Sequence, residues 1–247
     1  MLQGSGPRTP RRRGPERAGD GGAIQQGYAV TPAGAGPRVA LLDYDMSNLR
    51  SAGKALERLG ARVEVCREPG EAGDADAVVL PGVGRFGAAM ERLDERGFTG
   101  MLRDRASSGT HVLGICLGLQ LLLDESEESP GVAGLGLIPG HVERLRTSAK
   151  VPHIGWSEVH WREGAALGPV SGGPADRTYY FVHSYACVLA DPDDVLGTAE
   201  HGAGFTAAVG RGAVCGVQFH PEKSSAAGLA LLDRWLAGVQ TGQAVAS

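Results

Sequence analysis

Short, wholly apolar runs alternate with longer amphipathic stretches through the first half of the chain. Val39, Ala40, Leu41 and Leu42 are apolar at every position, as a strand covered on both faces would be. Leu49, Ala52, Leu56 and Leu59 then recur at helical spacing. Ser47 or Asn48 is placed to cap that helix and Gly60 to end it. Residues 62–66 alternate as a second strand, 77–80 form a third, and 86–95 and 98–106 have the pattern of helices. A fourth strand is expected over 112–115, and the leucine-rich run after Cys116 has the pattern of a helix start. This alternation predicts an α/β fold, an open, mostly parallel, doubly wound sheet with helices on both faces.

The texture changes after that run. Stretches 137–145, 157–161, 178–188, 206–209 and 214–219 have the pattern of strands, separated by turns such as Asp191-Pro192-Asp193-Asp194. They predict additional antiparallel strands in the C-terminal half. A last helix is expected over about 226–236, capped by Ser224 or Ser225, with Leu229, Leu232, Trp235 and Leu236 on its apolar side.

Residues 1–37 lie outside this pattern. They are rich in Gly, Pro and Arg, and five arginines stand against one glutamate and one aspartate. With the whole chain at −4, this segment carries +3 and the remainder −7. So little apolar surface cannot offset the entropy of ordering, so 1–37 is expected to be a disordered extension or a start assigned too early. A functional basic arm is the alternative. One domain, 38–238, and a flexible tail, 239–247, complete the expected organisation.

At 42% hydrophobic and 21% charged residues, the composition suits a globular core. No apolar stretch reaches bilayer-spanning length and the start has no apolar signal region, so a cytoplasmic location is expected. Net negative charge argues against general nucleic-acid affinity. Cys66, Cys116, Cys187 and Cys215 have neither disulfide-framework nor zinc-site spacing. No phosphate loop, dinucleotide fingerprint or metal cluster is present, so neither cofactor nor metal is expected.

Three stretches carry candidate chemistry. Gly114-Ile115-Cys116-Leu117-Gly118 sits between a predicted strand and a predicted helix, in the pattern of a nucleophile elbow. A side chain at either glycine would crowd the turn, and a helix N-terminus favours negative charge on Cys116. A buried core cysteine is the competing explanation. In His220-Pro221-Glu222 a strand delivers His220, and extended geometry would bring Glu222 round to its ring. Glu222 would then fix the tautomer and free the other nitrogen for the Cys116 proton. The competing explanation is a surface histidine beside a solvated glutamate. In Pro81-Gly82-Val83-Gly84, Val83 and Gly84 could aim N–H groups, with that of Leu117, at an oxyanion. Otherwise it is an ordinary βα loop. All three are expected at strand C-terminal ends, in an order that chance seldom produces.

Together these stretches resemble the class I (triad) glutamine amidotransferases. Residues 80–87, 134–140, 151–156, 180–185 and 218–225 narrow the likeness to the glutaminase subunits of imidazole glycerol phosphate synthase, over about 38–238. The resemblance implies that Cys116 attacks the glutamine amide, His220 carries the proton and Glu222 orients His220. It implies that Gly82, Gln120, Ser184 and Tyr185 hold glutamine, and that Asn48 and Lys223 meet a cyclase subunit. That heterodimeric partner would use the ammonia to make imidazole glycerol phosphate and AICAR in histidine biosynthesis, along a route sheltered from water. The family's first βα loop has glycines where this chain has Asp45 and Ser47.

Overall fold

In the computed structural model, which describes Met1 and residues 36–46, 49–169 and 172–245, the apolar runs form the middle of one large sheet. The first half contains β1 (Arg38–Leu42), α1 (Leu49–Arg58), β2 (Arg62–Cys66), α2 (Pro69–Ala72), β3 (Ala77–Gly82), α3 (Phe86–Glu95), α4 (Phe98–Ser107), β4 (His111–Cys116) and α5 (Leu117–Leu121). Next come β5 (Glu125–Ser126), β6 (Gly140–Arg144), β7 (His153–Trp161), β8 (Thr178–His183) and β9 (Tyr185–Leu189). The chain closes with β10 (Val195–Glu200), β11 (Gly204–Arg211), β12 (Val214–Val217) and α6 (Ser225–Thr241).

Strands β2-β1-β3-β4-β12 lie side by side and parallel. From β12 the sheet continues antiparallel through β11, β10, β7 and β8, with β9 joining β11 to β6. Every residue of β3 and β4 is buried, because helices cover both faces of the parallel half. On one face Leu56 of α1 and Leu231, Leu232 and Trp235 of α6 pack on Val39, Leu41, Val79 and Leu113. On the other, Phe86, Leu93, Phe98 and Leu102 of α3 and α4 pack on Ala40, Leu42, Val78 and Leu80. Alternate positions of one strand thus serve two cores. Since β3, β4 and β12 are parallel, their C-terminal ends reach one rim.

Several elements depart from expectation, each for a physical reason. The stretch 178–188 is two strands, because the chain changes partners at Ser184: β8 pairs with β7, whereas β9 pairs with β6 and β11. Residues 137–139 are not strand; the Leu137 and Ile138 N–H groups bond instead to the Leu122 carbonyl. β10 was not anticipated, since Gly197 interrupts its apolar pattern; a Cβ there would lie 2.8 Å from Val159. The leucine run yields one short helix, α5, and then tightens into i→i+3 bonds at Leu122 and Leu123. α6 continues to Thr241 and ends at left-handed Gly242. Beyond it, Val245 is buried and its N–H bonds to the Gly212 carbonyl at 2.7 Å, so described residues of the expected tail are docked. The Ser224 hydroxyl makes no cap to α6. The expected arm at 2–35 and the cap and interface candidates Ser47 and Asn48 lie outside the described residues. Among the described residues no helix is long and apolar enough to cross a membrane.

Candidate active site

The site forms where β4 breaks into α5. Cys116 sits at that break with φ 57° and ψ −111°, a backbone region that L-residues avoid. Its neighbours hold it there. A Cβ on Gly114 would come within 2.7 Å of the Gly118 carbonyl oxygen, and one on Gly118 within 1.8 Å of the Leu80 carbonyl oxygen. The turn can close only with glycine on both sides. α5 spans only five residues, so its dipole contributes less at Cys116 than a full helix would.

His220 reaches Cys116 from the neighbouring strand. β12 stops at Val217, and Pro221 opens a single 3-10 turn over Pro221–Lys223. Glu222 therefore reaches His220 by folding back through a turn rather than along an extended strand, because Pro221 has no N–H to continue a ladder. The contact itself is as expected: His220 Nδ1 lies 2.8 Å from Glu222 Oε1, with both side chains nearly inaccessible. The backbone around it is held: the His220 N–H bonds to the Tyr180 carbonyl at 2.9 Å, and Ser224 Oγ donates to the His220 carbonyl at 2.6 Å. Burial works against a charged His220 ring, yet its interactions with Cys116 and with Glu222 outweigh it and raise its pKa from 6.5 to about 9. Imidazole and carboxylate thus form a pair, while the thiol of Cys116 donates to the Val182 carbonyl at 3.8 Å on the wall of the cleft that His220 also lines.

A cleft of about 230 Å³ opens beside the sulfur. Val83, Gly84, Leu117 and Gln120 line it with Cys116 and His220, and Val182, His183 and Lys223 complete its wall. Of the three candidate oxyanion donors, Val83 is already engaged: its N–H bonds to the Met46 carbonyl at 2.8 Å. Gly84 and Leu117 remain at the cleft, and Gly84 has φ +105°, open mainly to glycine. Tyr44 supports this loop from below, its hydroxyl donating to the Pro81 carbonyl at 2.7 Å. Asp45 adopts φ 67°, where the resemblance led glycine to be expected, and its carboxylate pairs with Arg96. Aspartate tolerates this region better than most residues, so Asp45 can hold the positive φ itself.

The expected glutamine-contacting residues divide. Gln120 lines the cleft. Gly82 lies buried in β3, opposite Cys116 in register, where a Cβ would meet the Tyr44 hydroxyl, so it packs the elbow rather than facing the cleft. Ser184 and Tyr185 stand one shell back; the wall there is Val182 and His183. Tyr185 contributes its carbonyl, which accepts from Gln120 Nε2 at 3.0 Å. Lys223 is exposed at the rim. Gln218 had not been singled out. It is fully buried, and its Nε2 lies 3.9 Å from Cys116 Sγ. A lone polar residue in an apolar strand, two before His220, was the available signal.

Comparison with known proteins shows the family. Residues 40–237 match the family described as glutamine amidotransferase class-I. A protein of Moorella thermoacetica named imidazole glycerol phosphate synthase subunit HisH is 50% identical over 195 residues, 78% of this chain and 91% of that protein. The protein of the same name from Deinococcus radiodurans is 44% identical over 206 residues, 83% and 95% of the two. Among solved structures, a glutamine amidotransferase superposes with a TM-score of 0.62 at 22% identity, covering 82% of this chain and 98% of that one, a likeness of fold. The chain belongs to the class-I glutamine amidotransferase family.

Proposed function

We propose that this chain is the glutamine-hydrolysing subunit of an imidazole glycerol phosphate synthase, with Cys116, His220 and Glu222 as its catalytic triad. The observation that carries this is that Cys116 and His220 line one cleft, with His220 Nδ1 held 2.8 Å from Glu222 Oε1. The proton that Cys116 and His220 share rests on the His220 ring as the sulfur attacks the side-chain amide carbon of glutamine. The tetrahedral oxyanion is met by N–H groups of Gly84 and Leu117. As the C–N bond breaks, His220 returns the proton and ammonia leaves, with a glutamyl thioester remaining on Cys116. Water, deprotonated by His220, then releases glutamate and restores the thiol.

One shared proton serves both halves, which gives this mechanism a pH signature. The His220 pKa is raised, so the interactions that raise it stabilise the fold fully below about pH 6.5 and are lost as pH rises through about 9. Above that range ammonia has no proton donor. Glu222→Gln keeps the shape and removes the charge. The alkaline limb of the glutaminase profile is expected to move from about pH 9 toward 6.5, with activity down roughly 10–100-fold. An unmoved limb would show that Glu222 does not tune His220.

We further propose that the partner is a cyclase subunit, docked over the cleft, in the cytoplasm, where the chain's four buried, unpaired cysteines stay reduced. An apolar patch at the rim supports this. Ile154 is 61% exposed and Trp156 53%, on the same face of β7, and in register with them Val182 and Tyr180 flank the cleft side of β8. Ammonia released beneath such a cover is kept from bulk water. Trp156→Ala is expected to weaken binding to the cyclase subunit about 30-fold, a central aromatic being the usual anchor of such faces. Isothermal titration reads this directly, and an unchanged Kd would place the docking face elsewhere.

A further inference from the structure

His183 forms part of the cleft wall, yet the reaction above gives it no task. Its hydrogen bonds define one. His183 Nδ1 lies 2.9 Å from the Tyr185 carbonyl oxygen, which can only accept, so Nδ1 carries the ring proton. Burial, reinforced by neighbouring histidines, lowers the pKa of both His183 and His153 to about 4, so both rings are neutral near pH 7. His183 Nε2 is then an acceptor. Its partner at 3.1 Å, His153 Nδ1, must be the donor, and His153 Nε2 accepts in turn from the Ser157 hydroxyl at 3.0 Å. His153 is itself sandwiched between the rings of Phe181 and His201, 5.0 and 4.2 Å away. Each bond in this chain has one direction only.

The chain ends on Gln120. The Tyr185 carbonyl accepts a second bond, from Gln120 Nε2 at 3.0 Å, and the other Gln120 amide proton goes to Gln218 Oε1, also at 3.0 Å. With both N–H bonds committed, Gln120 has only its carbonyl oxygen left to offer the cleft that it lines. An acceptor there suits the α-ammonium group of glutamine. We propose that His183 is a positioning residue for glutamine: braced by His153, it fixes the Tyr185 carbonyl and so keeps the Gln120 oxygen turned toward the substrate's ammonium group. This rests on the assignment of the cleft as the glutamine site.

The test compares two substitutions in the complex with the cyclase subunit. His183→Leu fills the space and removes the donor. His183→Asn retains an N–H near the position of Nδ1. His183→Leu is expected to raise the KM for glutamine about tenfold, the size of one polar contact, with kcat within about threefold. His183→Asn is expected to recover most of that loss. Alkylation of Cys116 by iodoacetamide, which does not use Gln120, should proceed at the wild-type rate in both. An unchanged KM in His183→Leu, equal impairment in His183→Asn, or slowed alkylation in both would overturn the proposal. Should glutamine hydrolysis instead survive Cys116→Ala, the assignment of the cleft itself would fall.

Discussion

Cys116→Ala removes glutamine hydrolysis, by about 10⁴-fold or more, while ammonium-dependent turnover by the complex with the proposed cyclase subunit is retained. The size follows from the chemistry: without the sulfur no thioester forms, and an oxyanion site and a histidine–glutamate pair are left with only water to activate. Retention follows from the structure. Cys116 is a small side chain at a turn whose geometry depends on Gly114 and Gly118, so trimming the sulfur leaves the backbone in place. Alanine at φ 57° is no more strained than cysteine. Two assays decide the matter, glutamate release from glutamine and product formation from added ammonium salt. Equal loss in both would show a folding defect, and no loss in the first would remove Cys116 from the mechanism.

Gly118→Ala is expected to have the largest effect on stability. The new Cβ would lie 1.8 Å from the Leu80 carbonyl oxygen and 2.8 Å from its carbon. Both atoms belong to β3, held between β1 and β4, so the strand cannot retreat. Either the elbow shifts or the central ladder opens. A cost of about 3 kcal/mol or more is expected, lowering Tm by roughly 6–12 °C for a domain of this size. Gly100→Ala in α4 is the control, since nothing lies within 4 Å of its would-be Cβ. That change should be neutral or slightly stabilising. Calorimetry of the pair checks the argument, and matched melting curves would refute it.

These expectations separate local information from tertiary information. The parallel half of the sheet was legible because strands buried on both faces must be apolar in their middle, and 39–42, 77–80 and 112–115 are. The elbow was legible because a strand-to-helix turn with a side chain at φ 57° needs small residues beside it, and Gly114 and Gly118 stand there. The Cys116, His220 and Glu222 candidates could likewise be read from residue type and order alone. Their meeting could not, since 104 positions of chain separate the sulfur from the ring, and only the parallel pairing of β4 with β12 brings them to one rim. The same holds for the rest of the site. Gln218 and His183 gain their roles from hydrogen bonds to Gln120 and Tyr185, and Val83 loses its free N–H to Met46, a residue of another loop. Gly82 lies under the cleft because Tyr44 and α5 pack on it. Sequence by itself determined the apolar pattern, the turn chemistry and the inventory of reactive groups, because those depend on neighbours along the chain. Tertiary structure alone decided which polar groups are already engaged and which face the cleft, because a hydrogen bond is spent on whatever the fold places within about 3 Å.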